Sequence, residues 1–412
     1  MCYYFRAIHG RDSLQGLVIK SENVLTDKHG AMKKVFVCKE IVKGETRTAL
    51  VPADIKTLTA MGFDFMVQSG AGQMADYSDD DYRAAGAQVV TSLDEGYQFA
   101  DIVVRVNKPD TIAGIRENTL HISFFDAFNE KAAMEECAKA GISLVSLEMI
   151  PRTTLAQKMD AISSQASLAG YYAVILAASK LPKLFPMMMT PSGTISPARV
   201  FIIGVGVAGL QSIATAKRLG ARVEAFDTRP AVEEEVKSLG AKFVKIDLGE
   251  TGQTEQGYAK ELTPEQIEIQ RAAQAKICTQ SDVVITTAKV FGRKAPLLLT
   301  NDMIADMKPG SIIIDMASKT GGNVEGSDPE NDVLLDNGVR ILAGDSLERF
   351  VPRDASNMFS GNITAFLTHF WDEEGKTFTI DENDSIMSEC LITKGGQIVH
   401  KRFADQPEEA GP

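Results

Sequence analysis

Histidine, cysteine and tryptophan are scarce in this 412-residue chain, which holds five, five and one of them. The cysteines (Cys2, Cys38, Cys137, Cys278, Cys390) form no C-x-x-C or Cys/His spacing. That argues against a zinc site or a disulfide framework and suits a reducing compartment. No histidine (His9, His29, His121, His369, His400) stands in H-E-x-x-H or beside a nucleophile, and no G-x-S-x-G or Walker pattern occurs. Zinc-protease, serine-hydrolase and P-loop chemistries therefore find no support. Basic blocks are also missing: 43 Lys and Arg against 55 Asp and Glu give a net charge of −12, a poor match for nucleic acid. The longest uncharged run, residues 161–179, is bracketed by Asp160 and Lys180 and opens with Ser and Gln. It reads as a buried helix rather than a membrane span. The first 31 residues show no continuous apolar core of a signal peptide and read as a poorly patterned extension ahead of Met32.

What is present is 44% apolar residues in a rhythm of short strands and amphipathic helices. Val35-Phe36-Val37, Phe65-Met66-Val67 and residues 101–106, 119–125 and 142–147 read as strands, with helices at 53–61 and 130–140. A second series begins at residues 198–203 and continues through 221–226, 282–285, 311–314 and 339–342. Strands alternating with helices imply parallel βαβ units, so the fold class expected is α/β with two Rossmann-like doubly wound sheets. The boundaries expected are an N-terminal α/β domain over 32–160, a dinucleotide-binding domain over 161–349, and a segment 350–412 that returns to pack on the first domain. Residues 249–276 read as a polar loop or lid followed by a charged helix. Met187-Met188-Met189 is expected to fill core or interface space.

The strongest local signal is Gly204-Val205-Gly206-Val207-Ala208-Gly209, directly after a strand and opening a helix. Gly204 permits the turn, Gly206 lets backbone approach a pyrophosphate, and Gly209 lets helix and strand pack closely. The next strand ends in Asp227-Thr228-Arg229, where the carboxylate can accept both ribose hydroxyls of NAD and repel the 2′-phosphate of NADP; Arg229 weakens that second inference. The plain alternative is a glycine turn that binds nothing. A second candidate is Pro151-Arg152-Thr-Thr-Leu-Ala-Gln157-Lys-Met-Asp160-Ala-Ile-Ser163-Ser-Gln165. Spacing alone is served as well by Asp160 capping a helix, since Asp160 and Ser163 share a face.

These stretches, with Phe185-Pro-Met-Met-Met-Thr190, Gly257-Tyr258-Ala-Lys260-Glu261 and Met307-Lys-Pro-Gly310, resemble the NAD(H)-binding domain, or separate alpha subunit, of proton-translocating NAD(P) transhydrogenase. The resemblance runs from about residue 32 to about residue 400. It implies that Arg152, Gln157, Asp160 and Ser163 lie over the nicotinamide. It also implies that Gly204, Gly206, Val207, Ala208, Gly209, Asp227, Thr228 and Arg229 hold the rest of NAD(H), and that Tyr258 closes a mobile loop. It implies Re/Si-specific hydride transfer to NADP(H) on a partner domain and a membrane-spanning partner that conducts protons. A homodimer and a peripheral place on the cytoplasmic face of the inner membrane are implied too. No metal is expected.

Alanine dehydrogenase shares the fold and is the natural rival, and Arg47 fits both families. The dehydrogenase's substrate Lys and base His fall here on Asn107 and Asp126, and its further Asp on Lys319; His121 belongs to another register. Amino-acid oxidation needs a base, whereas hydride transfer between two nicotinamides needs only positioning. A non-catalytic NAD-sensing module is the remaining alternative.

Overall fold

The computed structural model describes residues 32–249, 251–252, 262–290 and 292–404. Tyr258 and its neighbours lie outside them. The N-terminal region runs β1 (Lys34–Val37), α1 (Pro52–Met61), β2 (Asp64–Gln68), α2 (Asp79–Ala84), β3 (Gln88–Val90), α3 (Leu93–Phe99), β4 (Ile102–Asn107), β5 (Leu120–Phe124), α4 (Lys131–Lys139) and β6 (Ser143–Ser146). Helix α5 (Ala161–Lys180) then crosses to the second region, which opens with a hairpin of β7 (Met188–Thr190) and β8 (Gly193–Ile195). It continues β9 (Arg199–Ile203), α6 (Val207–Arg218), β10 (Arg222–Phe226), α7 (Glu233–Ser238), β11 (Lys242–Phe243), α8 (Pro264–Cys278), β12 (Val283–Thr286), α9 (Asn301–Ala305), β13 (Ile312–Asp315), β14 (Val333–Leu334) and β15 (Arg340–Ala343). The tail holds α10 (Pro352–His369), β16 (Trp371–Asp372), β17 (Thr377–Phe378), α11 (Met387–Cys390), β18 (Leu391–Lys394), β19 (Gln397–Ile398) and α12 (Lys401–Ala404).

Two sheets result. The first has the order β19-β18-β6-β5-β4-β1-β2-β3, parallel from β3 to β6, with β18 and β19 added antiparallel. The tail thus completes the first sheet. The second has the order β11-β10-β9-β12-β13-β15-β14, parallel except for β14. Its strands are apolar on both faces because both faces are covered. Val200 and Ile202 of β9 pack in one cluster with α5 and α6 residues, while Phe201 and Ile203 pack in the other with Cys278 of α8 and Ile304 of α9. Each fully buried side chain of this kind contributes roughly 1.5–3 kcal/mol relative to exposure.

Helix α5 is long and apolar enough by composition to cross a membrane. In the structure it instead lies tightly on α6. A Cβ on Gly170 would stand 2.2 Å from the Ala208 carbonyl oxygen, and Ser212 Oγ donates to Gly170 O at 2.9 Å. The expectation that Met187–Met189 fill the core is overturned: they are 42–73% exposed, on and beside the hairpin. Only their reading as interface residues survives within this chain.

Candidate functional site

In a doubly wound sheet, ligands sit beyond the carboxyl ends of the strands where the order reverses. In the second sheet that point lies between β9 and β12. Gly204 follows the first and Thr287 the second. A cavity of about 1410 Å³ opens there and reaches across to Phe124, Glu148 and Arg152 of the N-terminal region.

The glycine loop is built tightly on its inner side. Gly204 adopts φ +97°, and a Cβ there would meet Thr287 Oγ1 at 2.6 Å; that hydroxyl donates to Gly204 O at 2.9 Å. A Cβ on Gly209 would sit 2.1 Å from Gly204 O, whereas one on Gly206 would meet nothing within 4 Å. The first intrahelical bond of α6 is Leu210 N to Gly206 O at 2.9 Å. The N–H groups of Val207, Ala208 and Gly209 precede it and remain at the helix end that borders the cavity, an arrangement suited to an anion.

Asp227 lines the cavity with both carboxylate oxygens engaged. Oδ2 accepts from Val205 N at 2.7 Å and Arg229 Nη2 at 2.8 Å, and Oδ1 from Arg229 N at 2.9 Å and Nε at 2.8 Å. Arg229 also donates to Val205 O at 3.0 Å, and its hydrogen bond with Asp227 holds its pKa above the ordinary value. Thr228 lines the cavity beside them.

On the opposite wall, Arg152 and Ser163 line the cavity. Asp160 caps α5: its carboxylate accepts from Ser163 N at 2.9 Å and Ser163 Oγ at 2.6 Å. The cap and the site candidate are one arrangement, since the cap fixes the side chain of a serine that lines the cavity. Gln157 sits exposed on a short 3-10 turn, Gln157–Met159, and it and Asp160 are outside the cavity lining.

The sequence reading missed several lining residues. Glu148 accepts from Phe125 N (3.0 Å), Asp126 N (2.8 Å) and Ser146 Oγ (2.5 Å); burial nevertheless raises its pKa. Gln165, Glu348, Thr287, Lys289 and Ser346 also reach the cavity, as does Arg402 from the tail. Gln165 closes the 151–165 stretch without a role assigned to it; no motif announces the others, because they converge from distant stretches of the chain.

Gln165 and Glu348 belong to a buried cluster beyond β1 and β4, the order reversal of the first sheet. Arg47 clamps Glu45 with Nε at 2.8 Å and Nη2 at 2.7 Å, and turns Nη1 to Glu348 and the Gln165 amide oxygen, both at 3.0 Å. Asn107 Nδ2 donates to Glu45 at 2.9 Å and Glu40 at 3.2 Å. Burial alone would raise the Glu45 carboxyl, but the Arg47 hydrogen bonds and charge, with the Asn107 amide, hold it at about 2. His121 is buried in β5, away from the cavity, and burial beside Arg105 lowers its pKa to about 3. Asp126 is exposed, with its carboxylate on Asn129 Nδ2 at 2.9 Å, and Lys319 is exposed. Among the described residues no His/Cys/Asp/Glu group is arranged to hold a metal.

Comparison with known proteins gives the chain a family. The models described as alanine dehydrogenase/PNT, N-terminal and C-terminal domain, match residues 36–169 and 173–401. The first of the NAD(P) transhydrogenase alpha polypeptides of Rhodospirillum rubrum is 41% identical over 382 residues, 90% of this chain and 99% of that protein. The solved transhydrogenase of Sinorhizobium meliloti superposes with a TM-score of 0.78 at 37% identity, covering 90% of this chain and 100% of that one. An L-alanine dehydrogenase structure superposes with a TM-score of 0.74 at 21% identity over 90% of this chain and 98% of its own, a likeness of fold. With both family models matched and transhydrogenase alpha subunits aligned along nearly their whole length, the chain belongs to the alanine dehydrogenase/PNT family, among the NAD(P) transhydrogenase alpha subunits.

Proposed function

We propose that this chain is the NAD(H)-binding subunit of a proton-translocating transhydrogenase, exchanging hydride with NADP(H) held by a partner domain while a membrane partner moves protons. The observation that carries the reading is the asymmetry of the cleft. Its second-domain wall offers open backbone and a carboxylate, and where a dehydrogenase has its Lys and His this chain has Asn107, tied to Glu40 and Glu45, and Asp126, tied to Asn129. The fit to NAD(H) rests on Gly206, where backbone can be approached from the cavity, on the α6 N-terminus, and on Asp227.

Bound NAD(H) would supply the hydride carrier; the protein's task is to hold it. Val207 and Ala208 would meet the pyrophosphate through backbone N–H, and Asp227 the ribose. Arg152 and the Ser163 hydroxyl, fixed by Asp160, would orient and shield the ring, with Gln157 at the exposed rim where a partner's ring arrives. Positioning two rings in dry surroundings is the catalytic contribution available without a proton acceptor. The Asn107 amide is committed to Glu40 and Glu45, and Arg47 to Glu45 and Glu348, so an amino-acid carboxylate would have to displace these partners. A second copy meeting at the methionine hairpin, and a place at the cytoplasmic face of the membrane, complete the reading.

The test mixes the purified chain with a purified NADP(H)-binding transhydrogenase domain and follows reduction of an NAD analogue by NADPH. Activity in the mixture alone is expected. Gln157→Asn should slow that transfer at least tenfold with NADH affinity nearly unchanged, about 1.4 kcal/mol placed in the transfer step. NADH consumption by this chain alone with pyruvate and ammonia would overturn the reading.

A further inference from the structure

The cavity is basic in an acidic protein. Among the described residues six basic side chains and three acidic ones line it, although the whole chain carries a net charge of −12. The acids are all engaged: Asp227 by Arg229, Glu348 by Arg47, and Glu148 by two backbone N–H groups and the Ser146 hydroxyl. Among the cations, Arg229 is held by Asp227, and Lys289 by Asp345 at 2.7 Å. Arg271 reaches Glu268 at 3.2 Å and Leu297 O at 3.3 Å, and Arg152 and Arg293 are engaged as well. Arg402 is the exception. Its guanidinium makes no hydrogen bond or ion pair with any described residue, and Glu389, the carboxylate within range of its charge, is paired with Lys401 instead.

The fold fixes this cation from behind. Arg402 belongs to α12, which follows the two strands that the tail adds to the first sheet. Its backbone N–H donates to His400 Nδ1 at 3.2 Å, and the buried His400 ring donates through Nε2 to Glu389 O at 3.2 Å. Phe403 is buried too and packs edge-on against Phe128, with ring centroids 5.2 Å apart. Phe128 in turn bears the second-domain loop, since a Cβ on Gly292 would stand 2.7 Å from its ring. Arg402 is therefore rooted one residue from the seam where the two domains touch beside the cavity.

An unpaired guanidinium on a cavity wall suits an anion, and its planar fork matches phosphate oxygens. NAD(H) carries its negative charge on the pyrophosphate. The second-domain groups offered to it are backbone N–H groups and the partial charge of a helix end. Arg229 on that wall is neutralised by Asp227, so the dianion lacks a full counter-charge there. We propose that Arg402 supplies it: the C-terminal tail reaches into the cleft and pairs with the pyrophosphate across the domain seam. The proposal rests on the nucleotide reading above. Its test is equilibrium binding of NADH to the full chain, wild type and Arg402→Gln, at low salt and at about 1 M salt, where the screening length falls to about 3 Å.

At low salt the variant should bind NADH about tenfold more weakly, equivalent to about 1.4 kcal/mol. At high salt the two affinities should agree within about twofold. Arg402→Lys should recover part of the loss through charge alone, and adenosine, which has no phosphate, should bind all three proteins alike. The side chain is exposed, so the variants should unfold at the parental temperature. Equal NADH affinity at low salt, or a loss of the same size at high salt or for adenosine, would overturn the proposal and leave the function standing. A variant that binds NADH normally and slows only transfer with the NADP(H)-binding domain would overturn it too, and would turn Arg402 towards the partner. Failure of the wild-type chain to bind NADH at all would instead overturn the nucleotide reading itself.

Discussion

The cleft is framed by two sheet reversals of the same kind, and they are furnished in opposite ways. Beyond β9 and β12 the chain uses glycine and backbone: Gly206 faces open space and the first N–H groups of α6 lie beyond the first intrahelical bond. Beyond β1 and β4 it uses long charged side chains that satisfy one another. Glu45 occupies the guanidinium fork of Arg47, and Glu348 and Gln165 bring in the other domain's elements. Asp227 too sits in a guanidinium fork, that of Arg229, so the difference between the two reversals lies in the backbone. The α6 N–H groups stand unmatched at an accessible surface, whereas the Arg47 cluster matches its groups internally. The same topological position can therefore be a binding site or a brace, and the partners of its polar groups decide which.

The comparison breaks most forcefully at Arg47. Arg47→Met leaves Glu45 and Glu348 buried without their cation, and the loss expected in denaturant unfolding is about 3–5 kcal/mol. The pH dependence should change with it. Glu45 has a folded pKa near 2 against an ordinary 4.5, so its contribution is present above pH 4.5 and is lost as pH falls towards 2. That contribution is roughly 3 kcal/mol, and the variant should lack this part of the acid limb. Burial raises the Glu40 carboxyl, so its opposing effect lies above pH 4.5, outside the Glu45 window. A variant as stable as the parent would mean the cluster is no brace.

At the other reversal, Asp227→Ala should cost ligand rather than fold. It removes an acceptor that orders Val205 and is proposed to take the ribose, so NADH affinity should fall roughly 10- to 100-fold, as for hydrogen bonds to a charged group. Titration of NADH fluorescence checks this, and unchanged affinity would remove Asp227 from the site.

Sequence pattern made the two sheets and the glycine loop legible because both are local. Apolar strands covered on both faces read as continuous runs, and a glycine fingerprint spans only six residues. Asp160 and Ser163 were legible only to a degree, since the cap and the cavity-lining serine share one spacing. What stayed hidden depends on contacts far apart in the chain. Arg47 meets Gln165 from 118 residues away, and Gln165 meets Ala355 from 190. Arg229 stands out in the sequence as a neighbour of Asp227, but its bidentate grip follows from side-chain geometry alone. The methionine triplet left two readings open because hydrophobic character predicts burial without saying by which chain, and the exposure of all three removes the core.

A smaller effect separates two glycines of the same loop. Gly206 has φ −88°, which any residue accepts, and a Cβ there points into the cavity. Gly206→Ala should leave stability unchanged or raise it by up to about 1 kcal/mol, while weakening NADH by about tenfold. Gly209→Ala places a Cβ against the Gly204 carbonyl and should lower stability by about 1–3 kcal/mol. Thermal unfolding with and without NADH checks both, and equal behaviour of the two variants would deny that the loop has an inner and an outer side.

The smallest effect concerns Arg229. Its side chain supplies two of the four donors on Asp227 and neutralises the carboxylate proposed to exclude a 2′-phosphate. Arg229→Ala frees lone pairs for ribose hydroxyls, so NADH should bind as tightly as before or more tightly. A 2′-phosphate would then meet an uncompensated carboxylate and lose the guanidinium that could pair with it. The preference for NADH over NADPH should rise about two- to fivefold, the scale of a partly screened ion pair. Competitive titration of the two dinucleotides reads this ratio directly. A preference that falls would mean that Arg229 acts by ordering the glycine loop through Val205 O, and that Asp227 excludes the phosphate only while the guanidinium holds it in place.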